Sequence, residues 1–504
     1  MKDNIVLIII TALAVFIRIF LIVRDSFPFA YDMGRDLLWA KDISFYYTPT
    51  LIGPAASIWG VYFQPFWYYF LALPIRLFSP HPVSAVLVTA GAVVLTGVLA
   101  IVLFRKYLNP LYALVFGILL FFSNTLVNIS TFAFHANLLP LLTLLTTYFL
   151  FLSAVKNPKY FALAALAIAF MFSADPAPAV TFTLIILCMF FYLKIFKSTQ
   201  ATVLAITASV LPHIPQLLFE LRNNFIETRS LISYFAGNNP SLSGQLPLLE
   251  RIPNRLSLYF ASLKTDLAPN TLFAIALLAL TVFGIYRFQK TNVDKNLSIL
   301  FKINLFIIVL SFLVNTFLIT VEIKNWYLFG MIVNFSILIV FALLGLRSKL
   351  TTFIFLILFL VVNLVPFASN DKIVNAKNDP AQLSNQLAAL DHIYTDGERP
   401  FSVYVYTPSV YDHNYQYLFW WWGTIREKGL PSDFAYLPQQ PDYVRNKSKY
   451  APLTKQAKTI YLIIENARQN EFYTDIAWQN NFSDYKIVWE KNINGAIRLQ
   501  KRVQ

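Results

Sequence analysis

The sequence predicts a polytopic, all-α membrane bundle followed by a small α/β domain. Of its 504 residues, 57% are hydrophobic and 13% are charged, and the mean hydropathy is +0.57. Apolar runs of membrane-spanning length recur up to residue 369, after which the composition becomes that of a water-soluble domain. We therefore divide the chain into residues 1–369 and 370–504, and exclude a water-soluble globular protein.

Eleven apolar runs have the length and composition of membrane-spanning helices. They cover residues 4–23, 83–104, 110–127, 137–155, 159–174, 177–196, 201–219, 270–287, 298–320, 327–346 and 350–368. A twelfth run, Phe66–Phe78, is shorter and rich in aromatic residues, which favours a helix in the membrane interface. The first run lacks a small-residue cleavage site and is predicted to be a retained span.

Basic residues in the loops predict the orientation of the bundle. With eleven spans and Lys2 inside, the inner loops carry Lys and Arg, whereas the connections 123–136 and 173–178 carry none. The positive-inside bias therefore places the 24–82 loop and the C-terminal domain outside the cytoplasm. From Asp371 onward there are 16 basic and 14 acidic residues, so most of the net charge of +14 lies in the membrane region. This excess orients the spans and does not indicate a nucleic-acid partner.

The C-terminal segment has the pattern of an α/β domain. Strands are predicted at 401–406, 459–464, 485–489 and 496–499, and the last two are joined by the hairpin signal Asn492-Ile-Asn-Gly495. Residues 382–394 and 411–421 have helical spacing. The aromatic run Phe419–Trp422 favours core packing or membrane contact over sugar binding. The single cysteine, Cys188, lies in an apolar run and excludes a disulfide framework.

The first outer loop contains a compact group of charged residues. Asp32 and Asp36 are four residues apart, so they share one face of a helix, with Arg35 beside them. Leu37 and Ile43 give the same segment an apolar side. This pattern predicts a short surface helix whose carboxylates face a cavity. The alternative is a solvated loop with ordinary surface charges.

Other polar residues fall on the same predicted outer face, and each is also compatible with simple solvation at the headgroup level. They are Gln64, Tyr68, Tyr69, His135, Asn137, Asp175, His213, Gln216, Glu220, Arg222, Lys324, Trp326 and Tyr327. The sequence has no Gly-rich phosphate loop, no Rossmann or Walker pattern, and no His/Cys metal cluster. Carboxylates beside cations suit another chemistry, in which a carboxylate accepts the proton of an attacking hydroxyl while Arg or Lys stabilises a departing phosphate. A lipid-linked phosphate donor would enter through the bilayer and need no nucleotide fold.

Several segments resemble the GT-C superfamily of glycosyltransferases that use polyprenyl-phosphate sugars. Tyr31-Asp-Met-Gly-Arg-Asp36 is similar to the first-loop Asp motif of dolichyl-phosphate-mannose protein mannosyltransferases and of the aminoarabinose transferases of lipid A. Gln64-Pro-Phe-Trp-Tyr-Tyr69 resembles the family's surface helix, with Gln64 in place of its histidine. Weaker resemblances cover 132–140, 219–225 and Asn325-Trp-Tyr327.

The resemblance implies a GT-C-like fold and the transfer of one sugar from an undecaprenyl- or dolichyl-phosphate carrier to an extracytoplasmic acceptor. It implies that Asp32 is the base and that Asp36 orients acceptor or donor. The candidates for binding the donor phosphate are Arg35, Arg222, Lys324 and Tyr327, and those for binding substrate are Gln64, Tyr68, Tyr69, His135, Asn137 and Glu220. Direct displacement with one base predicts inversion at the anomeric carbon. No cofactor is required, although these residues are compatible with a divalent metal.

Two other classes of function stay open at this point. A transporter or flippase usually has polar or broken-helix sites near the bilayer midplane in two related halves, and this chain has no such internal symmetry. A non-catalytic scaffold whose C-terminal domain binds a partner is the third alternative. The acceptor, whether protein, lipid or cell-wall glycan, and the identity of the sugar are not decided by the sequence.

Overall fold

A computed structural model describes residues 2–22, 25–238, 246–291, 294–320, 322–368, 378–408, 411–426, 428–439, 443–451, 456–466 and 475–504. The helices up to residue 192 are α1 (Lys2–Ile22), α2 (Tyr31–Phe45), α3 (Phe66–Leu77), α4 (Val83–Phe104), α5 (Pro110–Phe122), α6 (Asn124–Asn128), α7 (Leu139–Val155), α8 (Phe161–Ala174) and α9 (Pro176–Tyr192). Those that follow are α10 (Thr199–Val210), α11 (Ile214–Arg222), α12 (Ile226–Phe235), α13 (Leu248–Leu267), α14 (Thr271–Gln289), α15 (Lys295–Phe317), α16 (Met331–Leu346) and α17 (Lys349–Ala368).

The C-terminal domain contains four further helices and five strands within the described residues. The helices are α18 (Leu383–Asp396), α19 (His413–Trp420), α20 (Lys447–Tyr450) and α21 (Asp475–Gln479). The strands are β1 (Phe401–Tyr406), β2 (Phe434–Ala435), β3 (Thr459–Glu465), β4 (Lys486–Ile493) and β5 (Ile497–Val503). The predicted boundary between the two domains, at residues 369 and 370, lies outside the described residues.

Each of the eleven predicted apolar runs contains an apolar helix. Seven helices in the described residues are long and apolar enough to cross a membrane, and a bent pair over residues 110–131 adds an eighth candidate. The remaining three runs form shorter apolar helices, over 158–174, 176–192 and 331–346. The twelfth run forms the 12-residue helix α3. The all-α bundle is confirmed, and eleven crossings stay a prediction.

Local sequence signals explain where several helices begin. Asn109, Asp175 and Asp294 occupy N-cap positions, and each side chain accepts a hydrogen bond from a backbone N–H in the following turn. Proline follows the cap in α5 and α9, where its missing N–H has no helical partner to lose. These caps determine where α5, α9 and α15 begin. The connections that precede these helices lie at the two ends of the bundle.

Close helix packing holds the bundle core together. Gly284 of α14 and Gly345 of α16 face each other, and a Cβ on Gly284 would lie 2.7 Å from the Cα of Ala342. Small residues allow this approach, on which helix association in membranes depends. Arg18 of α1 is buried rather than facing lipid, and its guanidinium donates to the Ser130 hydroxyl over 2.9 Å and to the Phe121 carbonyl over 2.9 Å.

The five strands form one sheet in the order β2-β1-β3-β5-β4. β1 pairs parallel with β2 and β3, whereas β5 pairs antiparallel with β3 and β4. The predicted β4–β5 hairpin is present, and both Asn494 and Gly495 have positive φ, as a tight two-residue turn requires. The short strand β2 was not predicted. Trp420, Trp421 and Trp422 are buried, which confirms core packing for the aromatic run.

The C-terminal domain packs directly on the surface helix α2. Backbone bonding joins the segments before α2 and α18, because the Phe29 N–H donates to the Ala381 carbonyl over 2.7 Å. The Gln386 amide donates to the Phe29 carbonyl over 3.0 Å, and the Asn446 amide donates to Asp42 over 2.9 Å. The domain therefore holds α2 against the bundle.

A buried lysine reinforces this contact. Lys41 of α2 is fully buried, and its ammonium forms an ion pair with Asp42 over 2.8 Å. The same ammonium lies 4.0 Å from the ring centre of Tyr450, 4.9 Å from that of Tyr46 and 5.7 Å from that of Trp420. A desolvated cation over aromatic faces is a favourable contact, so this cage links α2 to α19 and α20.

The loops divide between the two ends of the bundle as the charge pattern predicts. Loops assigned to the outside meet around one cavity. Loops assigned to the inside, including Asn109, Asp294, Arg347 and Lys349, line a different cavity. The side of the membrane on which each end lies stays a prediction.

Candidate active site

A cavity of about 780 Å³ lies where the predicted outer loops converge. Its wall is formed by α2, the 54–63 loop, the start of α9, the helices α11 and α12, and the segments around 134 and 326. Apolar lining residues include Val61, Phe172, Val180, Leu217, Leu231, Phe235 and Leu318. Polar lining residues include Asp32, Arg35, His135, Asp175, His213, Gln216, Glu220 and Glu227. The cavity can therefore accommodate a molecule with both apolar and polar parts.

Arg35 lies between the two carboxylates of the first-loop motif. Its Nη1 is 2.9 Å from Oδ1 of Asp32, and its Nε and Nη2 are each 2.8 Å from Oδ1 of Asp36. The Asp32 side chain is 55% exposed, whereas that of Asp36 is 1% exposed. Asp32 and Arg35 line the cavity, and Asp36 lies behind Arg35. The two carboxylates thus have different surroundings despite sharing one helical face.

Asp36 is tied to the interfacial helix by Trp67, whose indole N–H donates to Oδ2 of Asp36 over 2.7 Å. Burial raises the pKa of Asp36 to about 6, although the Arg35 guanidinium and the Trp67 N–H both favour its ionised form. For Arg35, burial acts to lower the pKa, but Asp36, Tyr68 and Asp32 together outweigh burial and raise it. At neutral pH, Asp36 is therefore mostly ionised and holds Arg35 in place.

Two further acids, Asp175 and Glu227, line the cavity. Burial raises the pKa of Asp175 to about 7, although its carboxylate accepts the Ala177 N–H. Burial also raises the pKa of Glu227 to about 7, despite hydrogen bonds from Gln216 and from the Tyr62 N–H. Both groups titrate near neutrality, which makes them alternative proton acceptors to Asp32.

Gln64 and His135 are brought to the same region as expected. The Gln64 amide lies 2.7 Å from Nδ1 of His213 and accepts a bond from the Ser173 hydroxyl over 3.3 Å. His135 lines the cavity, its Nδ1–H donates to the Ala174 carbonyl, and its ring packs against Phe134 with centres 4.0 Å apart. His135 therefore forms part of the cavity wall, whereas Gln64 is buried behind it and contacts the lining residue His213.

Three further predicted substrate-binding residues also lie behind the wall. The Tyr69 hydroxyl bonds to the backbone of Thr50, and Asn137 donates to the carbonyls of Ile129 and Phe132. Tyr68 is buried and stacks on Trp39, with ring centres 5.4 Å apart. These contacts support the loops that form the cavity.

Of the candidates for phosphate binding, Arg35 and Tyr327 line the cavity, whereas Arg222 and Lys324 do not. Lys324 forms an exposed ion pair with Glu322 over 2.5 Å, and Arg222 is exposed at the end of α11. Glu220 does reach the cavity, where it caps α12 by accepting the N–H groups of residues 227 and 228. Arg35 is the one Lys or Arg among the described lining residues.

Sequence reasoning did not select Trp67 or Glu227. Trp67 lies within residues 64–69, which were noted above as a surface helix. Its position in the sequence could not show that its indole N–H reaches Asp36. Within the described residues, no group of three His, Cys, Asp or Glu side chains is placed to hold a metal ion. The arrangement can bind an anion at Arg35 and remove a proton at Asp32.

Comparison with known proteins shows that this chain shares its fold with a solved structure. ArnT from Cupriavidus metallidurans, solved with bound undecaprenyl phosphate, has a TM-score of 0.58 and 11% identity, with 98% of this chain and 97% of that chain covered. The apo structure of the same protein has a TM-score of 0.46, 10% identity and coverages of 99% and 98%. The oligosaccharyltransferase of Archaeoglobus fulgidus, with Zn and sulfate, has a TM-score of 0.42, 12% identity and coverages of 90% and 68%. No protein-family model and no curated protein sequence matches.

Proposed function

Because this chain has the GT-C fold, we propose that it is an integral-membrane glycosyltransferase. It moves a sugar from a polyprenyl-phosphate carrier to an acceptor outside the cytoplasm. The observation that carries the proposal is the position of the exposed Asp32 and its partner Arg35 on the wall of a cavity that is lined by both apolar and polar residues. ArnT, which was solved with bound undecaprenyl phosphate, shares this fold and supports the choice of donor.

The reaction requires a base and a group that stabilises phosphate. Asp32 accepts the proton of the acceptor hydroxyl, the hydroxyl oxygen bonds to the anomeric carbon, and the bond between that carbon and the phosphate oxygen breaks. The polyprenyl phosphate leaves with the bonding electrons, and the Arg35 guanidinium stabilises its charge. A single displacement of this kind inverts the anomeric carbon.

The sidedness of the site follows from the loop charges. Since α2 and the C-terminal domain are in contact, both lie on the same side of the membrane, which we propose to be the extracytoplasmic side. A cysteine introduced at Tyr47, which is 77% exposed, can be labelled with a membrane-impermeant thiol reagent on intact cells. Labelling only after the cells are opened would contradict the proposed orientation.

The activity itself is tested with purified chain in membranes and radiolabelled polyprenyl-phosphate sugars. We expect release of unlabelled polyprenyl phosphate and transfer of the label to an acceptor or to water. If the carrier crosses the membrane with its sugar still attached and is never cleaved, the transporter alternative replaces the enzyme. The same assay measures the variants below.

Arg35→Gln is expected to raise KM for the lipid-linked donor by about 10- to 100-fold. A hydrogen bond to a charged group contributes about 1.5–3 kcal/mol, and each 1.4 kcal/mol is about tenfold. Because Arg35→Gln leaves Asp36 buried without its cation, the double variant Arg35→Gln/Asp36→Asn is the better measure of lost donor binding. Arg222→Gln and Lys324→Gln are measured beside it. An equal rise in KM from either would assign phosphate binding to that residue instead of Arg35.

Trp67→Phe is expected to move the acid limb of the pH–activity profile to higher pH. The Trp67 N–H stabilises ionised Asp36, so its removal raises a pKa that is already about 6. Protonated Asp36 holds Arg35 less firmly, and activity is lost as the pH falls through that pKa. A shift of about one pH unit corresponds to about 1.4 kcal/mol. Profiles of donor cleavage for wild type and variant check this, and coincident acid limbs would contradict it.

A further inference from the structure

Four aromatic side chains meet at the contact between α2 and the C-terminal domain, directly beside the candidate base. We call this group the junction platform, and it consists of Tyr31, Tyr411, His413 and Tyr443. Tyr31 precedes Asp32, and its ring centre lies 5.9 Å from that of Tyr411 and 5.0 Å from that of His413. The rings of Tyr411 and His413 are nearly parallel, 5.6 Å apart. Tyr443 packs on both, with centres 5.5 Å and 5.4 Å away.

The platform is continuous with the catalytic motif but separate from the cavity. The Arg35 guanidinium lies 5.6 Å from the centre of the Tyr31 ring and forms an ion pair with Asp32 over 2.9 Å. None of the four platform residues is among the described residues that line the cavity. Asp32 and Arg35 therefore border two different surfaces, one inside the cavity and one toward the C-terminal domain. A transferase with two substrates needs this arrangement, because donor and acceptor must meet at one base.

The chemistry of the platform is that of a neutral aromatic surface. Tyr411 is 46% exposed, whereas His413 is buried, and burial lowers the pKa of His413 to about 4, so the ring is neutral at physiological pH. The faces of aromatic rings carry partial negative charge and attract the polarised C–H groups of a sugar ring, while phenol hydroxyls can bond to its hydroxyls. The aromatic run at 419–422, by contrast, is buried and offers no such face.

We propose that the junction platform is the acceptor subsite and that the acceptor is a saccharide, whose ring stacks on Tyr411 and Tyr31 with one hydroxyl directed to Asp32. This assignment rests on the proposed glycosyltransferase function and adds the class of its acceptor. It also gives the C-terminal domain a direct part in the reaction, since it supplies three of the four rings. An uncharged aromatic face with phenol hydroxyls at its edge matches the two kinds of group that a sugar ring presents.

Binding is tested without turnover. Purified full-length chain is mixed with methyl α-mannoside or methyl α-glucoside, and saturation transfer from protein to sugar protons is measured by NMR. We expect transfer in the wild type, its loss in Tyr411→Ala, and its retention in Tyr411→Phe, which keeps the ring. Tyr47→Ala, at an exposed tyrosine away from the platform, is the matched control. Equal transfer in wild type and Tyr411→Ala, or none in the wild type, would overturn the subsite.

A turnover assay distinguishes failure of the saccharide-acceptor proposal from failure of the proposed glycosyltransferase function. In Tyr411→Ala we expect KM for the saccharide to rise about tenfold, as loss of one aromatic contact predicts. Cleavage of the donor by water is followed in Tyr47→Ala, which lies outside the platform and the cavity, and should match the wild type. Donor cleavage with label passing only to peptide or phospholipid would refute the saccharide acceptor while the enzyme stands. Absence of donor cleavage under all conditions would refute the enzyme itself.

Discussion

Asp32→Asn is expected to reduce donor cleavage by about 10²- to 10⁴-fold, the usual contribution of a positioned general base. The amide has the shape of the carboxylate but cannot accept the acceptor's proton. Arg35 remains held by Asp36 through two contacts of 2.8 Å, so KM for the donor should stay within a few fold of wild type. The expected signature is thus a loss in kcat with little change in KM, measured in the radiolabelled assay.

The variant should fold normally, because the Asp32 side chain is 55% exposed and an ion pair with so exposed a partner contributes little to stability. Asp391→Asn, at an exposed aspartate of α18, controls for the loss of one negative charge. If Asp32→Asn kept more than about a tenth of the wild-type rate, Asp32 would not be the base. Asp175 and Glu227, which face the same cavity and titrate near pH 7, would then be the next candidates.

The sequence predicted the parts of the structure that depend on local patterns. Hydrophobic length located the bundle helices, because each of them must satisfy its own backbone hydrogen bonds in the membrane. Asn494 and Gly495 predicted the β4–β5 hairpin, because few residues tolerate the positive φ that such a turn needs. The charge spacing in Tyr31–Asp36 predicted one helix carrying Asp32, Arg35 and Asp36 together, and α2 has this form.

The sequence did not predict which of the charged residues reach the cavity. Glu220 and Arg222 are two residues apart on α11, so they point to nearly opposite sides of the helix, and both could not line one cavity. Lys324 is drawn away by Glu322, two residues before it. Asp36 is buried because Trp67, from another helix, covers it. These outcomes depend on helix rotation and on contacts between distant segments, which spacing does not encode.

Gly34 lies where α2 packs closely against the C-terminal domain. A Cβ at this position would lie 2.5 Å from the Cα of Asn414 and 2.7 Å from the carbonyl carbon of His413, both backbone atoms at the start of α19. Real Cβ atoms do not approach backbone so closely, and backbone cannot rotate away as a side chain can. The glycine therefore lets α2 and α19 touch, which places Tyr31 against His413 and Lys41 within its aromatic cage.

Gly34→Ala is accordingly expected to destabilise the protein by about 1–3 kcal/mol, the usual effect of adding a methyl group to a full interior. A loss of stability would be the opposite of the usual effect, because Gly→Ala within a helix ordinarily stabilises by about 1 kcal/mol. Gly91→Ala in α4, where a Cβ would meet nothing within 4 Å, is the matched control and should be neutral or slightly stabilising. Thermal unfolding of the purified chain measures both variants.

We expect Gly34→Ala also to lower donor cleavage, since separation of α2 from α19 moves Asp32 and Arg35. If Gly34→Ala unfolded at the same temperature as Gly91→Ala, α2 and α19 would not be in close contact, and the C-terminal domain would not position the base.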